Sequence, residues 1–276
     1  VPDQPQQSTP TAGADQGAEL LYGVEEGIAT ITLNRPKIKN AFTLGMIDDW
    51  AAALRTAAAD SEVRVVVVTG AGDAFCSGIE LDVLSSVEPT PLARKRMLTD
   101  GVHQVARAVA DLDKPLIAAV NGVAVGAGLD MALMCDLRFA ARSARMSEGY
   151  IRVGLVPGDG GCYFLPRLVG PAKALELLLS GEMIDGTEAE RIGMVNRVYD
   201  DAELMPATYA FAARLAALSP VAISMIKRTV YQSATMDLRA SLDLVSSHMA
   251  ILQSTEDYAE ARAAFAEKRP GRFAGR

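Results

Sequence analysis

Pro115-Leu-Ile-Ala-Ala-Val-Asn-Gly-Val-Ala-Val-Gly-Ala-Gly-Leu-Asp-Met-Ala-Leu-Met-Cys-Asp136 is the stretch on which the reading of this chain turns. Pro115–Val120 is a continuous apolar run with a breaker at its start, the pattern of a short buried strand. Gly122, Gly126 and Gly128 follow, and Leu129, Met131, Ala132, Leu133, Met134 and Cys135 then predict an apolar helix with one acid, Asp130, in its first turn. A helix N-terminus presents unpaired N–H groups and the positive end of the dipole, both suited to a developing oxyanion. Glycine at 126 and 128 removes the Cβ that would keep a ligand from that backbone. An acid one turn in, facing the same cavity, can handle a proton. The same pattern also serves a helix start that needs close packing, with Asp130 an ordinary first-turn acid, so the rest of the chain has to decide.

Upstream, Val63–Thr69 (VRVVVVT) is the strongest strand signal and is expected to be central. It ends in Gly70-Ala-Gly72, which begins a dinucleotide fingerprint, but Phe75 stands in place of the third glycine and no helix opens directly. Nucleotide binding by that route is excluded. In the following loop Gly78 permits an unusual backbone angle that can turn the Ile79 N–H inward; a plain loop is the alternative. Leu20–Asn34 reads as a hairpin around Glu25-Glu26-Gly27, and Asn34–Phe42 as a polar loop with Arg35, Lys37 and Lys39. Thr43 is placed to cap a helix to about Ala59, with Met46, Ile47, Trp50, Ala53 and Leu54 on one face. Glu88–Arg94 is expected to be a mobile loop, and Arg94–Leu112 an amphipathic helix.

Downstream, Leu137–Ala141 predicts a buried strand, and Met146–Gly161 a long irregular loop carrying Glu148, Tyr150 and Asp159. Long ordered loops in a compact domain are more often functional than not. Helices are expected over Gly170–Ser180 and Thr187–Arg191, and a strand over Met194–Tyr199. Four helical segments then close the chain: Glu203–Leu218, Val221–Gln232, Leu238–Gln253 and Glu256–Lys268. The expected organisation is a disordered leader at 1–18, an α/β core at 19–202 and a helical region at 203–276. The apolar faces of that helical region need cover, which points to another subunit.

Hydrophobic residues make up 50% of the 276 positions and the formal net charge is −7, so the basic footprint of a nucleic-acid partner is missing. No apolar run approaches the roughly 18–20 residues of a membrane span, and no secretory pattern is present. Three scattered cysteines, Cys76, Cys135 and Cys162, suggest reduced thiols of a cytoplasmic protein and not a disulfide frame or zinc site. With two histidines, His103 and His248, most histidine metal sites and a Ser-His-Asp triad are set aside. No metal is expected.

Seven pieces, in order, resemble the crotonase (enoyl-CoA hydratase/isomerase) superfamily: Leu33–Pro36, Asn40-Ala41, Phe75–Gly78, Lys114-Pro115, Val120–Gly128, Gly154–Gly158 and the tail Phe265–Pro270. The resemblance implies a spiral of ββα turns with a helical C-terminal region that trimerises, often as a dimer of trimers. It implies an acyl-CoA thioester as ligand, with coenzyme A entering as part of the substrate and no separate cofactor. The thioester oxygen would be held by the backbone N–H groups of Ile79 and Ala127. Lys37, Ile38, Ser77, Glu80, Leu81, Gly126, Gly149 and Gly158 match substrate-contacting positions, and Lys268 is placed to reach a CoA phosphate, across a subunit boundary if needed.

The departure lies in the acids. Typical hydratases carry two glutamates that hold one water for addition across C2–C3. Here the first position is Asp130 and the second is Tyr150, whose ordinary pKa near 10 makes it a poor base. It can donate a hydrogen bond or wall an aromatic acyl pocket. Glu148 and Asp159 are the candidates for the missing carboxylate, and Asp159, between two glycines, is favoured. The leading expectation is hydration of a 2-enoyl-CoA in acyl-CoA breakdown. The alternatives are isomerisation, another enolate reaction such as C–C cleavage, hydrolysis or aryl-CoA chemistry, or a non-catalytic acyl-CoA binder.

Overall fold

The computed structural model describes residues 17–276, so nearly all of the expected leader falls outside it. Among the described residues the first strands are β1 (Leu20–Glu25), β2 (Ile28–Leu33), β3 (Val65–Gly70), β4 (Ala74–Cys76) and β5 (Leu116–Val120). They are followed by β6 (Val123–Val125), β7 (Leu137–Ala141), β8 (Arg145–Ser147), β9 (Ile184–Asp185) and β10 (Arg197–Tyr199). The larger sheet has the order β1-β2-β3-β5-β7-β10, parallel except for the β1–β2 hairpin. A smaller sheet has the order β4-β6-β8-β9, in which only β9 runs antiparallel. The chain changes layer at each corner, β3 to β4, β5 to β6 and β7 to β8, and returns through helical chain. That repeat is the expected ββα spiral. The VVVVTG and LIAAV runs are buried at every position, as strands covered on both faces must be.

Helix α1 (Leu44–Ala59) starts where Thr43 Oγ1 accepts the Met46 N–H at 3.0 Å, and it buries Trp50 and Leu54 against the sheet. Two expectations fail in the next segment. Leu81–Ser86 forms a short helix, α2, and the supposed loop at 88–94 contains α3 (Pro91–Arg96), capped by Thr90. Proline at a first helical turn starts a helix, because its missing N–H would be unpaired there anyway. The single helix expected over Arg94–Leu112 is interrupted by a π-helical turn at Met97–Val102 before α4 (His103–Ala110). Such turns re-aim the side chains that follow, and both Leu98 and His103 reach Gly158.

Helix α5 (Ala127–Leu133) is buried throughout. Its start lies so close to β4 that a Cβ on Gly128 would stand 2.1 Å from the Cys76 carbonyl oxygen. The glycine at 128 therefore serves helix–strand packing and not the approach of a ligand. The other end of α5 is held by Arg138, which donates to the Leu133 and Cys135 carbonyls at 3.2 and 2.5 Å. The stretch expected to be one long loop includes β8 and a 3-10 turn at Gly149–Val153. Helix α6 (Gly161–Ser180) then begins well before the expected Gly170, where the backbone instead kinks with φ +78°.

Beyond α7 (Gly186–Arg191), helix α8 (Leu204–Ala216) buries Leu204, Thr208 and Ala212, and its Phe211 meets Phe139 of β7 edge-on at 5.2 Å. This first C-terminal helix thus belongs to the packed α/β unit, across the expected boundary at residue 203. By contrast α9 (Pro220–Ser233) and α10 (Leu238–Gln253) contain no buried residue, and α11 (Glu256–Glu267) buries Asp257 and Ala264. Among the described residues no single helix is long and apolar enough to cross a membrane.

Candidate active site

Two corners of the spiral bring two amides together. Gly78 has φ +97°, a conformation open to glycine, and a Cβ built there would lie 3.6 Å from the Ala127 nitrogen. The Gly78 carbonyl accepts the Phe42 N–H at 2.9 Å. In a trans peptide the C=O and N–H point to opposite sides, so the Ile79 N–H faces away from Phe42. The Gly126 carbonyl accepts the Asp130 N–H at 2.9 Å, which leaves the Ala127 N–H projecting from the start of α5. Neither amide finds an acceptor among the described residues. A pair of unpaired donors at a helix N-terminus can stabilise an oxygen that gains charge.

Beside them lies a buried acid cluster. Asp130 is 0% exposed, Glu148 2% and Asp159 6%. The Tyr150 hydroxyl donates to Oδ2 of Asp130 at 2.8 Å and reaches Oδ2 of Asp159 at 3.2 Å. The Asp159 backbone N–H donates to the same Asp130 oxygen at 3.1 Å. The ring of Tyr150 also lies 3.6 Å from where a Gly126 Cβ would stand, so this one side chain spans the distance from the amide corner to the acids. Of the four site side chains named from the sequence as acid–base candidates, Tyr150 alone is part-exposed.

Burial sets the protonation of this group. It pushes the Asp130 carboxyl up to about 7, partly offset by the Tyr150 hydrogen bond. Burial, reinforced by the neighbouring Asp130 charge, lifts Glu148 to about 10. Asp159 is raised by burial, against the opposing influence of His103 and the Tyr150 hydroxyl. The Tyr150 phenol is raised too, first by burial and then by the Asp130 charge. A carboxyl near 7 suits both proton acceptance and proton donation at neutral pH.

The remaining predicted residues fall in three places. Lys37 and Ile38, in a 3-10 turn at Pro36–Ile38, are exposed, and Ser77 ties that turn to the Ile79 corner by donating from Oγ to the Ile38 carbonyl at 3.2 Å. Leu81 is 75% exposed on the same rim, whereas the Glu80 carboxylate is engaged by Arg35 at 2.6 Å. Gly149 packs on Val125, and Gly158 on Leu98. Lys268 sits in the left-handed C-cap of α11, and among the described residues no hydrogen bond or ion pair joins its side chain to the other predicted positions.

His103 is the neighbour that sequence reasoning passed over. Its Nε2–H donates to the Gly158 carbonyl at 2.7 Å and lies 3.9 Å from Oδ1 of Asp159. The available signal was a lone histidine in an amphipathic helix, which by itself marks no site; His103 follows directly on the π turn and meets the Asp159 loop only in the folded chain.

Comparison with known proteins identifies the family and the fold. The sequence profile described as Enoyl-CoA hydratase/isomerase matches residues 23–276. The chain is 36% identical to 1,2-epoxyphenylacetyl-CoA isomerase of Escherichia coli over 93% of its own length and 98% of that protein. It is 32% identical to crotonyl-CoA hydratase of Syntrophomonas wolfei, covering 92% and 97% of the two chains. The crystal structure of enoyl-CoA hydratase from Bacillus anthracis superposes with a TM-score of 0.88 at 29% identity, over 94% of this chain and 100% of that one. By sequence and by fold, the chain belongs to the enoyl-CoA hydratase/isomerase (crotonase) family of acyl-CoA enzymes.

Proposed function

We propose that this enzyme hydrates a 2-enoyl-CoA through an enolate whose oxygen is held by the Ile79 and Ala127 amides. The observation that carries this reading is the Tyr150 hydroxyl bonded to both Asp130 and Asp159, beside two amides with free hydrogens. Two carboxyls raised by burial and joined through one hydroxyl share a proton near neutral pH. The ionised one takes a proton from water as the water oxygen bonds to C3. The C2–C3 pair moves onto the thioester, and the oxygen of its carbonyl gains the charge that the amides stabilise. The protonated carboxyl then gives its proton to C2, and Tyr150 can pass the displaced proton from one aspartate to the other. Each amide donor is worth about 2.7–4 kcal/mol in such sites.

Lys37, Ile38, Ser77 and Leu81 form the rim suited to the CoA moiety, and Lys268 is a candidate for its phosphates. Family enzymes need no cofactor beyond that substrate. The exposed apolar residues of α9 and α10, among them Ile226, Val230, Leu238, Leu242 and Met249, support assembly as a trimer or dimer of trimers. Free thiols at Cys76, Cys135 and Cys162 agree with a reducing, cytoplasmic setting.

A second reading is double-bond isomerisation, which needs one acid–base group and no attacking water. It is favoured by Tyr150 occupying the second acid position, and by the isomerase named among the relatives. A panel of 2-enoyl- and 3-enoyl-CoA esters, assayed with wild type and Asp130→Asn, separates the two. Loss of the conjugated enoyl absorbance with formation of a 3-hydroxyacyl-CoA supports hydration. Conversion of 3-enoyl to 2-enoyl esters without water uptake establishes isomerisation instead, and no turnover of any ester despite tight binding rejects both.

A further inference from the structure

Glu148 follows β8 and turns its carboxyl into the protein from the opposite side of Asp130 to Tyr150. Neither of its oxygens has a hydrogen-bond partner, and Oδ1 of Asp130 has none either. All three converge on one point: a Cβ placed on Gly161 would lie 2.4 Å from Asp130 Oδ1 and 2.8 and 2.9 Å from the two Glu148 oxygens. The surroundings offer no compensating cation among the described residues. Leu129, Met146, Leu165, Leu177 and Ile184 line the space behind Glu148, with the Glu182 side chain at its outer end. Ser147 turns its hydroxyl away to the Gly181 carbonyl at 2.9 Å. Cys162 stands next along α6, while Asp159, Tyr150 and His103 lie beyond Asp130.

Two bare carboxylates facing each other in dry space would each carry a large desolvation penalty as well as mutual repulsion. One proton between them removes both problems. We propose that Glu148 is a positioning residue held in its neutral acid form, whose O–H donates to Oδ1 of Asp130 and so keeps that carboxylate aimed and able to ionise. The proposal rests on the reading of Asp130 as the proton-transfer group.

The donor set of Asp130 is then complete. Oδ2 takes the Tyr150 hydroxyl and the Asp159 amide, and Oδ1 takes Glu148. Burial is the main cause that raises both carboxyls; the Asp130 charge then raises Glu148 further, while the Glu148 hydrogen bond acts on Asp130 as a small opposing influence. Gly161 is required because any larger residue would wedge the two carboxyls apart. A glutamine in place of Glu148 can donate from its amide as the neutral acid does, whereas a leucine cannot.

The test compares pH–rate profiles of wild type, Glu148→Gln and Glu148→Leu on an ester turned over by the wild type. Glu148→Gln is expected to keep kcat within about threefold, with the acid limb in place. Glu148→Leu is expected to lose about tenfold or more at neutral pH, with the acid limb of kcat moved upward by about one unit and KM nearly unchanged. Equal loss in both variants would overturn the proposal, because it would make Glu148 an ionising participant. An unmoved acid limb in Glu148→Leu would overturn it as well.

A second measurement needs neither turnover nor the leucine variant. With 13C-labelled glutamate, the infrared difference between wild type and Glu148→Gln at about pH 8 should contain the C=O stretch of a neutral carboxylic acid that shifts with the label. Its absence would overturn the proposal. Should Asp130→Asn retain full activity while that band is present, the reading of Asp130 fails and the neutral Glu148 stands.

Discussion

The Tyr150 hydroxyl stands 2.8 Å from Oδ2 of Asp130, the acid proposed to move the proton, and Tyr150 holds the position where the family resemblance implies a second carboxylate. The two residues are twenty positions apart and come from different layers of the spiral, Asp130 from α5 and Tyr150 from the turn after β8. A phenol there cannot serve as a base at neutral pH, but it can hold two aspartates in register.

Tyr150→Phe removes the donor while keeping the ring against Gly126. The hydrogen bond lowers the Asp130 pKa, so its loss should move the acid limb of kcat upward and reduce kcat by about 10–100-fold at neutral pH. Steady-state kinetics across pH will read both effects. An unchanged limb would mean that Asp130 does not carry the proton.

Ala127→Pro deletes one amide hydrogen without adding a side-chain clash inside the helix, because proline is tolerated at the first position of a helix. We expect kcat to fall by about 10²–10³, corresponding to the loss of one oxyanion donor. Thermal unfolding should change little in comparison, and a variant with wild-type kcat would exclude this amide from the transition state.

Glu148→Gln should become more stable relative to wild type as pH rises. In the native protein Glu148 is raised from its ordinary 4.5 to about 10, so between those values the native state binds more protons than the unfolded chain. Unfolding free energy of the wild type then falls with rising pH, by at most about 1.4 kcal/mol per unit from this one group. The glutamine variant lacks that loss. Denaturant titrations over the same pH range should diverge; parallel curves would show that Glu148 ionises freely in the native state.

Gly128→Ala places a methyl 2.1 Å from the Cys76 carbonyl oxygen, a backbone atom that cannot step aside. It should destabilise the protein by about 1–3 kcal/mol and lower kcat by pushing α5 off β4. Gly45→Ala in α1 is the control. Its added methyl meets nothing nearer than Thr43 Oγ1 at 3.7 Å, so it should be neutral or stabilising by about 0.5–1 kcal/mol.

The buried strands and the glycine corners were legible in the sequence because each rests on local chemistry. VVVVTG and LIAAV have no polar face to expose, Thr43 caps its helix through its own hydroxyl, and Gly126 and Gly128 announce a helix start that is held, at Gly128, against the backbone of β4. Misreadings came where one residue type serves opposite ends. Pro91 stood in a stretch read as a loop, yet it begins a helix. The π turn at Met97–Val102 left no local mark, since its amphipathic spacing resembles that of an ordinary helix.

For the site, the sequence alone determined the inventory: one acid at the start of α5, a tyrosine in the second acid position, and Glu148 and Asp159 along a loop as candidates for the missing carboxylate, with Asp159 favoured. What only the tertiary structure decided is which atoms meet. Glu148 and Asp159 approach Asp130 from opposite edges, one through an orphaned carboxyl and the other through its backbone N–H, and His103 arrives from a separate helix. Protonation followed from that assembly, because a carboxyl's charge depends on how much water its neighbours exclude. Exclusion of water is a property of the packed layers and of no single segment.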